Sequence, residues 1–110
     1  MEINIREYEG GKVIAVSGEI DLYSSPLLRK QLMVFVKKKE SPLLVDFGGV
    51  SYIDSSGIAT FVEGLKGVMS FGGRMKMFGI RPAIMEIFSF SKLDKVFEIY
   101  GTIDDAADSR

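Results

Sequence analysis

A short apolar run that leads through a polar passage into a helical pattern is the feature that most constrains this chain. Residues 43–47, LLVDF, are typical of a strand covered on both faces. After the polar residues 48–57, apolar side chains recur at spacings of three and four, which predicts an amphipathic helix ending at Gly72-Gly73. These apolar positions are Ile58, Phe61, Val62, Leu65, Val68 and Met69. A buried strand followed directly by a helix is the repeating unit of α/β proteins.

The N-terminal segments extend this alternation. Residues 2–8 alternate as a half-buried strand does, and together with the apolar run at 13–16 they predict an N-terminal hairpin. Ser24 or Ser25, followed by Pro26, predicts an N-cap with proline at the first helical position, and this helix should reach about Lys39. The hairpin therefore precedes the first helix.

The C-terminal third of the chain shows the same order of elements. Residues 74–80 predict a strand, Pro82 predicts the start of a helix that runs to about Phe90, and residues 96–100 predict a final strand. Thr102, with an acidic residue three positions later, resembles a capping box. We expect a short helix at the C-terminus.

Chain length and composition favour one domain. The 110 residues are 46% hydrophobic, enough to bury about two-thirds of the surface of the unfolded chain. We therefore expect residues 1–110 to form a single α/β domain with a mixed β-sheet of about four to five strands. An N-terminal hairpin should begin the sheet, and the helices should pack mainly against it.

Charge and hydropathy indicate neither a membrane nor a nucleic-acid partner. The net charge is −1, so nothing draws the whole chain toward nucleic acid or anionic lipid. The basic residues 37–39 fall at an expected helix end, where they interact favourably with the helix dipole. No long apolar run or leader-like N-terminus is present, and we expect a cytoplasmic protein.

Several catalytic and metal-binding classes lack the residues they need. The chain has no cysteine for a thiolate site and no histidine, the commonest general base. A serine nucleophile would need Lys66 or Lys76 as its base, yet neither stands in a recognisable serine-lysine arrangement. Asp21, Asp46 and Asp54 are scattered carboxylates that do not by themselves define a magnesium site. We expect no enzymatic activity, no metal and no cofactor.

The sequence Asp54-Ser55-Ser56-Gly57 marks the candidate site. It lies where the polar passage meets the N-terminus of the most regular helix. The first turn of a helix has free backbone N–H groups and a partial positive charge, so it accommodates hydroxyl oxygens, carboxylates and phosphate. These residues are also common N-caps, so the tetrapeptide indicates either a capping motif or a serine exposed for modification.

Two motifs in this chain resemble the signatures of bacterial anti-sigma factor antagonists, which are STAS domains. The first is SGEID at residues 17–21 and the second is YIDSSGI at residues 52–58, in the expected order. The similarity extends over nearly the whole chain, from the opening hairpin to the Arg81-Pro82 helix start. The resemblance implies the STAS fold.

The resemblance also implies a role for each residue of the motifs. Ser55 is implied to be the residue that the partner anti-sigma factor, an ATP-dependent serine kinase, phosphorylates. Asp21 and Asp54 would order the loop or hydrogen-bond the kinase, or serve only as turn and cap carboxylates. Ser56 is better explained as a capping hydroxyl than as a second phosphosite. Gly57 would allow close approach by the partner, or only the tight entry into the helix.

The implied function is that of a partner switch. The unphosphorylated chain would bind the anti-sigma factor and release the sigma factor, phosphorylation would end binding, and a serine phosphatase would reset the switch. Tyr23 and Ile58 are expected to be exposed contact residues, and the protein is expected to be monomeric. Two alternatives are a phosphorelay receiver, whose acidic residues do not line up here, and a non-phosphorylated STAS scaffold or small-ligand-binding module.

Overall fold

Five strands lie side by side in the order in which they occur along the chain. The computed structural model describes residues 1–109. The strands are β1 (Glu2–Tyr8), β2 (Gly11–Ile20), β3 (Leu43–Ile53), β4 (Met75–Phe78) and β5 (Glu98–Tyr100). β1 is antiparallel to β2, and the remaining pairs are parallel. The predicted α/β class, mixed sheet and N-terminal hairpin are confirmed.

Helices connect the parallel strands and cover the sheet. They are α1 (Ser25–Lys37), α2 (Ser55–Met69), α3 (Pro82–Phe90) and the C-terminal α4 (Ile103–Asp108), with a short 3₁₀ turn at Leu93–Lys95. Successive parallel strands are added in one direction, so right-handed crossovers place α1, α2 and α3 on the same face of the sheet. The larger core lies between this face and those helices. Within residues 1–109, no helix combines the length and apolarity needed to cross a membrane.

The opposite face of the sheet carries a smaller core beneath α4. Ala106 of α4 packs there with Val13, Leu44 and Phe78. Lys76 lies beside Leu44 in the β3–β4 register, and only 3% of its surface is exposed. Its Nζ donates hydrogen bonds to the carbonyl oxygens of Ala106 at 2.8 Å and Ser109 at 3.0 Å. Because the ammonium meets carbonyl groups at the end of α4, it serves as a C-terminal cap for that helix.

The strands at the candidate site are longer than the sequence predicts. Residues 48–53, expected as part of a polar passage, continue β3 as far as Ile53, and β2 extends to Ile20. The extended parts pair with each other across register shifts, including Ser17 with Gly49. A Cβ on Gly49 would lie 2.7 Å from Cβ of Ser17, so the close approach requires glycine. Pairing with a distant strand therefore overrides the polar local sequence.

Three other predicted boundaries also shift. The strand expected at 74–80 is limited to Met75–Phe78, since Gly79 adopts a φ of 70°. The final strand is limited to Glu98–Tyr100. Helix α1 ends at Lys37 instead of Lys39, whose φ of 55° is left-handed. Positive φ values break regular hydrogen bonding, which explains the first and third differences.

Candidate functional site

The carboxyl ends of β2 and β3 meet at one edge of the sheet. Their last residues, Ile20 and Ile53, are register partners, and Asp21 and Asp54 follow them directly. The backbone N–H of Asp54 donates a 3.1 Å hydrogen bond to the carbonyl oxygen of Ile20. This bond holds the β2–α1 turn beside the start of α2. The structure thus brings the two sequence motifs together.

Asp54 caps the N-terminus of α2. Its Oδ1 accepts hydrogen bonds from the backbone N–H groups of Ser56 at 2.9 Å and Gly57 at 3.2 Å. Two of the helix donors that lack intrahelical partners are thereby satisfied. The capping alternative for Asp54 is therefore correct in the isolated chain.

Ser55 is the first residue of α2, and it is exposed. Among residues 1–109, no side-chain or backbone group makes a hydrogen bond to its hydroxyl. Asp54 performs the capping, so the Ser55 hydroxyl has no capping role. The carboxylate of Asp54 orders the helix start, whereas the hydroxyl of Ser55 is exposed.

Ser56 and Gly57 are less exposed than Ser55. Ser56 is half-buried, and its carbonyl oxygen accepts a 2.9 Å hydrogen bond from the Thr60 hydroxyl. Gly57 is buried, and a Cβ there would come within 2.7 Å of side-chain carbons of both Ile20 and Ile53. The absence of a side chain at Gly57 is thus explained by close packing of α2 on β2 and β3.

Asp21 orders the turn between β2 and α1. Its Oδ1 accepts hydrogen bonds from the backbone N–H groups of Tyr23 and Ser24, each at 2.9 Å. The N–H of Ser24, followed by that of Tyr23, lowers the pKa of the Asp21 carboxyl, and this effect outweighs the opposing effect of burial. The carboxylate is therefore ionised at neutral pH and acts as a turn-forming group.

Ser24 completes this turn, a role that was not predicted from the sequence. Its Oγ accepts a hydrogen bond from the backbone N–H of Asp21 at 2.9 Å and donates one to the carbonyl oxygen of Glu19 at 2.9 Å. Ser24 is the N-cap residue of α1 by position, but its side chain makes no capping bond to that helix. The spacing of an aspartate and a serine three residues later was the available signal, since both residue types form local side-chain to backbone bonds.

The two expected contact residues differ in exposure. Tyr23 is 90% exposed on the β2–α1 turn. Ile58, in the first turn of α2, is half-buried against the main core and also lines a shallow apolar groove along α3. The groove residues on α3 include Met85, Ile87 and Phe90. Tyr23 is exposed as expected, whereas the expected exposure of Ile58 is reduced because its side chain packs against the core.

The groups required by the alternative chemistries do not converge on Ser55. Lys76 is buried beneath α4, on the face opposite to α2, and Lys66 lies about 16 Å farther along α2 than Ser55. Asp46 is in the middle of β3, about 26 Å along the strand from Asp54. Across residues 1–109, no three acidic side chains form a group that could hold a metal ion. A serine-lysine catalytic pair at Ser55 and a magnesium site formed by the three aspartates are both excluded.

Sequence and structural comparisons agree on the family. The STAS domain model matches residues 2–106. An anti-sigma-B factor antagonist of Listeria monocytogenes is 31% identical over 100 residues, which cover 90% of this chain and 88% of the relative. The solved structure of an anti-sigma factor antagonist from Mycobacterium paratuberculosis has a TM-score of 0.86 at 27% identity, covering 96% of this chain and 89% of that one.

A more distant structural relative shares the fold. The Bacillus cell fate determinant SpoIIAA, solved in its phosphorylated form, has a TM-score of 0.74 at 20% identity and covers 97% of both chains. The family match over residues 2–106 and the paired motifs at the β2 and β3 ends lead to the same conclusion. This chain belongs to the STAS domain family, alongside the anti-sigma factor antagonists that it resembles.

Proposed function

We propose that this chain is an anti-sigma factor antagonist switched by phosphorylation of Ser55. The unphosphorylated form binds an anti-sigma factor that is also a serine kinase, and this binding releases the sigma factor. Transfer of phosphate to Ser55 ends the binding, and a serine phosphatase restores it. The chain is then the substrate of an enzyme and has no catalytic role of its own. These binding and phosphorylation steps take place in the cytoplasm.

The observation that carries the proposal is the exposed Ser55 hydroxyl beside the cap that Asp54 provides. A kinase needs an acceptor hydroxyl that can reach its ATP, and Ser55 is exposed at the first position of α2. Asp54 already holds the first turn in place. The names of the relatives supply the partner class, since the Listeria monocytogenes protein is an anti-sigma-B factor antagonist.

The same geometry explains how phosphate would switch binding off. A phosphate on Ser55 adds a charge of about −1.5 to −2 and three acceptor oxygens next to the carboxylate of Asp54, with Asp21 on the adjoining turn. Electrostatic repulsion and steric bulk would then lower the affinity of any partner whose surface fits the unmodified site. The partial positive charge at the N-terminus of α2 would favour the phosphate at this position, so the domain keeps its fold.

Other residues of the two motifs form the proposed contact surface. Asp21 and Tyr23 would contact the partner from the β2–α1 turn, and Ile58 from the first turn of α2. Ser56 and Gly57 contribute mainly through the backbone, because the first is half-buried and the second is buried. The antagonist acts as a monomer in this scheme.

The proposal is tested by phosphorylation with a candidate anti-sigma kinase from the same genome. Intact mass and site mapping after incubation with ATP should show one phosphate on Ser55, and Ser55→Ala should abolish it. Ser70→Ala is the matched control, because Ser70 is exposed at the other end of α2. Ser55→Asp should weaken binding to the kinase, and Ser55→Ala should bind without switching off. Phosphate on another residue, or none on folded protein, would refute the proposal.

A second candidate is a non-phosphorylated STAS module that binds a small apolar ligand. The groove between Ile58 and α3 favours it, since Met85 and Ile87 line the groove and Phe90 at its end is 93% exposed. This candidate predicts that Ser55→Ala has no effect on activity in the cell. It also predicts that Met85→Glu abolishes ligand binding, which calorimetry with extracted apolar metabolites would measure.

A further inference from the structure

Three large apolar side chains are exposed on the β2–α1 turn and in the first turn of α1. Leu22 is 64% exposed, Tyr23 is 90% exposed and Leu27 is 59% exposed. We refer to these three residues as the Tyr23 patch. Isolated exposed apolar residues are common on protein surfaces, but a contiguous patch indicates an interaction site. The patch is therefore a candidate binding element in its own right.

The turn that carries the patch lies beside the start of α2, where Ser55 is located. The N–H of Ser25 donates a 2.8 Å hydrogen bond to the carbonyl oxygen of Asp21, so the turn leads helically into α1. Tyr23 and Leu27 therefore lie one helical turn apart on the same side. The turn itself follows Ile20, whose carbonyl oxygen accepts the N–H of Asp54. A partner that reaches Ser55 thus meets the Tyr23 patch as well.

The backbone that presents Tyr23 is fixed by hydrogen bonds on both sides. The N–H of Tyr23 donates to Oδ1 of Asp21 at 2.9 Å. The Ser24 hydroxyl joins Asp21 to Glu19 through two 2.9 Å hydrogen bonds. A side chain on a fixed turn loses less conformational entropy on binding than one on a mobile loop. Ser24 therefore acts as a positioning residue for Tyr23.

The charge around the patch indicates what kind of surface it fits. On the side of the patch toward Ser55, residues 17–25 and 50–58 contain Glu19, Asp21 and Asp54 and no lysine or arginine, whereas Arg29 and Lys30 follow Leu27 along α1. An apolar centre with carboxylates on the side toward Ser55 is complementary to an apolar pocket whose facing edge carries basic side chains. Tyrosine also supplies a hydroxyl that can hydrogen-bond at the end of such a pocket.

We propose that the Tyr23 patch is the principal source of affinity and specificity for the anti-sigma factor, with Tyr23 inserted into a basic-edged apolar pocket and positioned by Ser24. The inference rests on the proposed function and deepens it, because it separates two tasks within one surface. Ser55 switches binding, whereas Tyr23 and its neighbours supply the binding energy and select the partner. Buried tyrosines are enriched among the residues that dominate protein–protein binding.

Calorimetry with the anti-sigma kinase that phosphorylates this chain tests the inference. Tyr23→Ala should weaken binding at least about 30-fold, and Leu27→Ala about fivefold. Ser24→Ala should weaken binding about fivefold in the wild-type background and less than about twofold when Tyr23 is already alanine. That coupling is expected only if Ser24 acts through Tyr23. Thermal unfolding of each variant establishes that it is folded.

Met69→Ala is the matched control. Met69 is 63% exposed at the far end of α2, about 21 Å along the helix from Ser55, and its replacement should leave binding unchanged. If wild type binds in a Ser55-dependent manner but folded Tyr23→Ala binds within twofold of it, the inference is overturned and the proposed function stands. If wild type binds no anti-sigma kinase, the proposed function fails and the inference fails with it.

Discussion

The backbone N–H of Asp54 donates a 3.1 Å hydrogen bond to the carbonyl oxygen of Ile20. This bond extends the β2–β3 pairing by one residue beyond the last register pair, Ile20 with Ile53. It fixes the distance between the β2–α1 turn and the first turn of α2, which together form the candidate site. Changes that disturb this junction should therefore affect both stability and partner binding.

Gly57→Ala should destabilise the domain by up to about 2 kcal/mol. The added methyl group would overlap Ile20 and Ile53 at 2.7 Å, at a cost of about 1–3 kcal/mol. The gain in helix propensity, about 1 kcal/mol, offsets only part of this cost. Urea denaturation monitored by circular dichroism measures the change. Gly101→Ala is the control, since a Cβ at Gly101 meets nothing within 4 Å. Equal stability of the two variants would contradict the close packing described at Gly57.

Asp54→Ala should lower the free energy of unfolding by about 1 kcal/mol through loss of the α2 N-cap. Asp54→Asn should lower it by less than about 0.5 kcal/mol, because the amide oxygen can still accept both N–H bonds. Thermal unfolding of wild type and the two variants in the same buffer compares their stabilities. An asparagine variant as unstable as the alanine variant would show that the charge of Asp54, and not its cap geometry, stabilises the helix.

The stability of the domain should depend on pH through the ionisation of Asp21. The N–H groups of Ser24 and Tyr23 hold the pKa of the Asp21 carboxyl below its usual value, so the native state favours the ionised form. The resulting stabilisation is fully present above the unfolded pKa of about 4 and is lost as pH falls through the lower native pKa. Thermal unfolding from pH 6 to pH 2.5 should therefore show a steeper acid loss for wild type than for Asp21→Asn. Parallel curves would rule out a contribution from this carboxylate.

Lys76→Met should loosen α4 with little effect on the rest of the domain. It removes the hydrogen bonds from Nζ to the carbonyl oxygens of Ala106 and Ser109, but it also removes the cost of burying an ammonium group. We expect the global free energy of unfolding to change by less than about 1 kcal/mol and the amides of α4 to exchange faster with deuterium. Lys66→Met, at an exposed position on α2, serves as the control. Unchanged exchange in α4 would contradict the capping role of Lys76.

Much of the fold was predictable because local sequence patterns encode local structure. The spacing of Phe61 and Val68 predicted α2, and both residues are buried in the main core. Thr102 was expected to cap a short C-terminal helix, and its Oγ1 accepts the N–H of Asp105 at 3.2 Å. The two family motifs were likewise visible in the sequence, and the family is confirmed.

The site was only partly predictable, since its geometry depends on segments far apart in the chain. The sequence could not show that residues 48–53 pair with the end of β2, because their polar and glycine-rich composition is typical of a loop. It left open whether Asp54 was a cap, and it did not identify Ser24 as the residue that orders the Tyr23 turn.

By itself, the sequence determined the order of strands and helices, the position of the serine motif at a helix start and the family. Each of these is encoded by neighbours within a few residues, through periodicity, capping chemistry or a short motif. Only the tertiary structure decided that the turn after Ile20 lies beside Asp54 and that Gly57 is packed against both strands. Strand register and close packing depend on residues distant in sequence, and no local pattern encodes them.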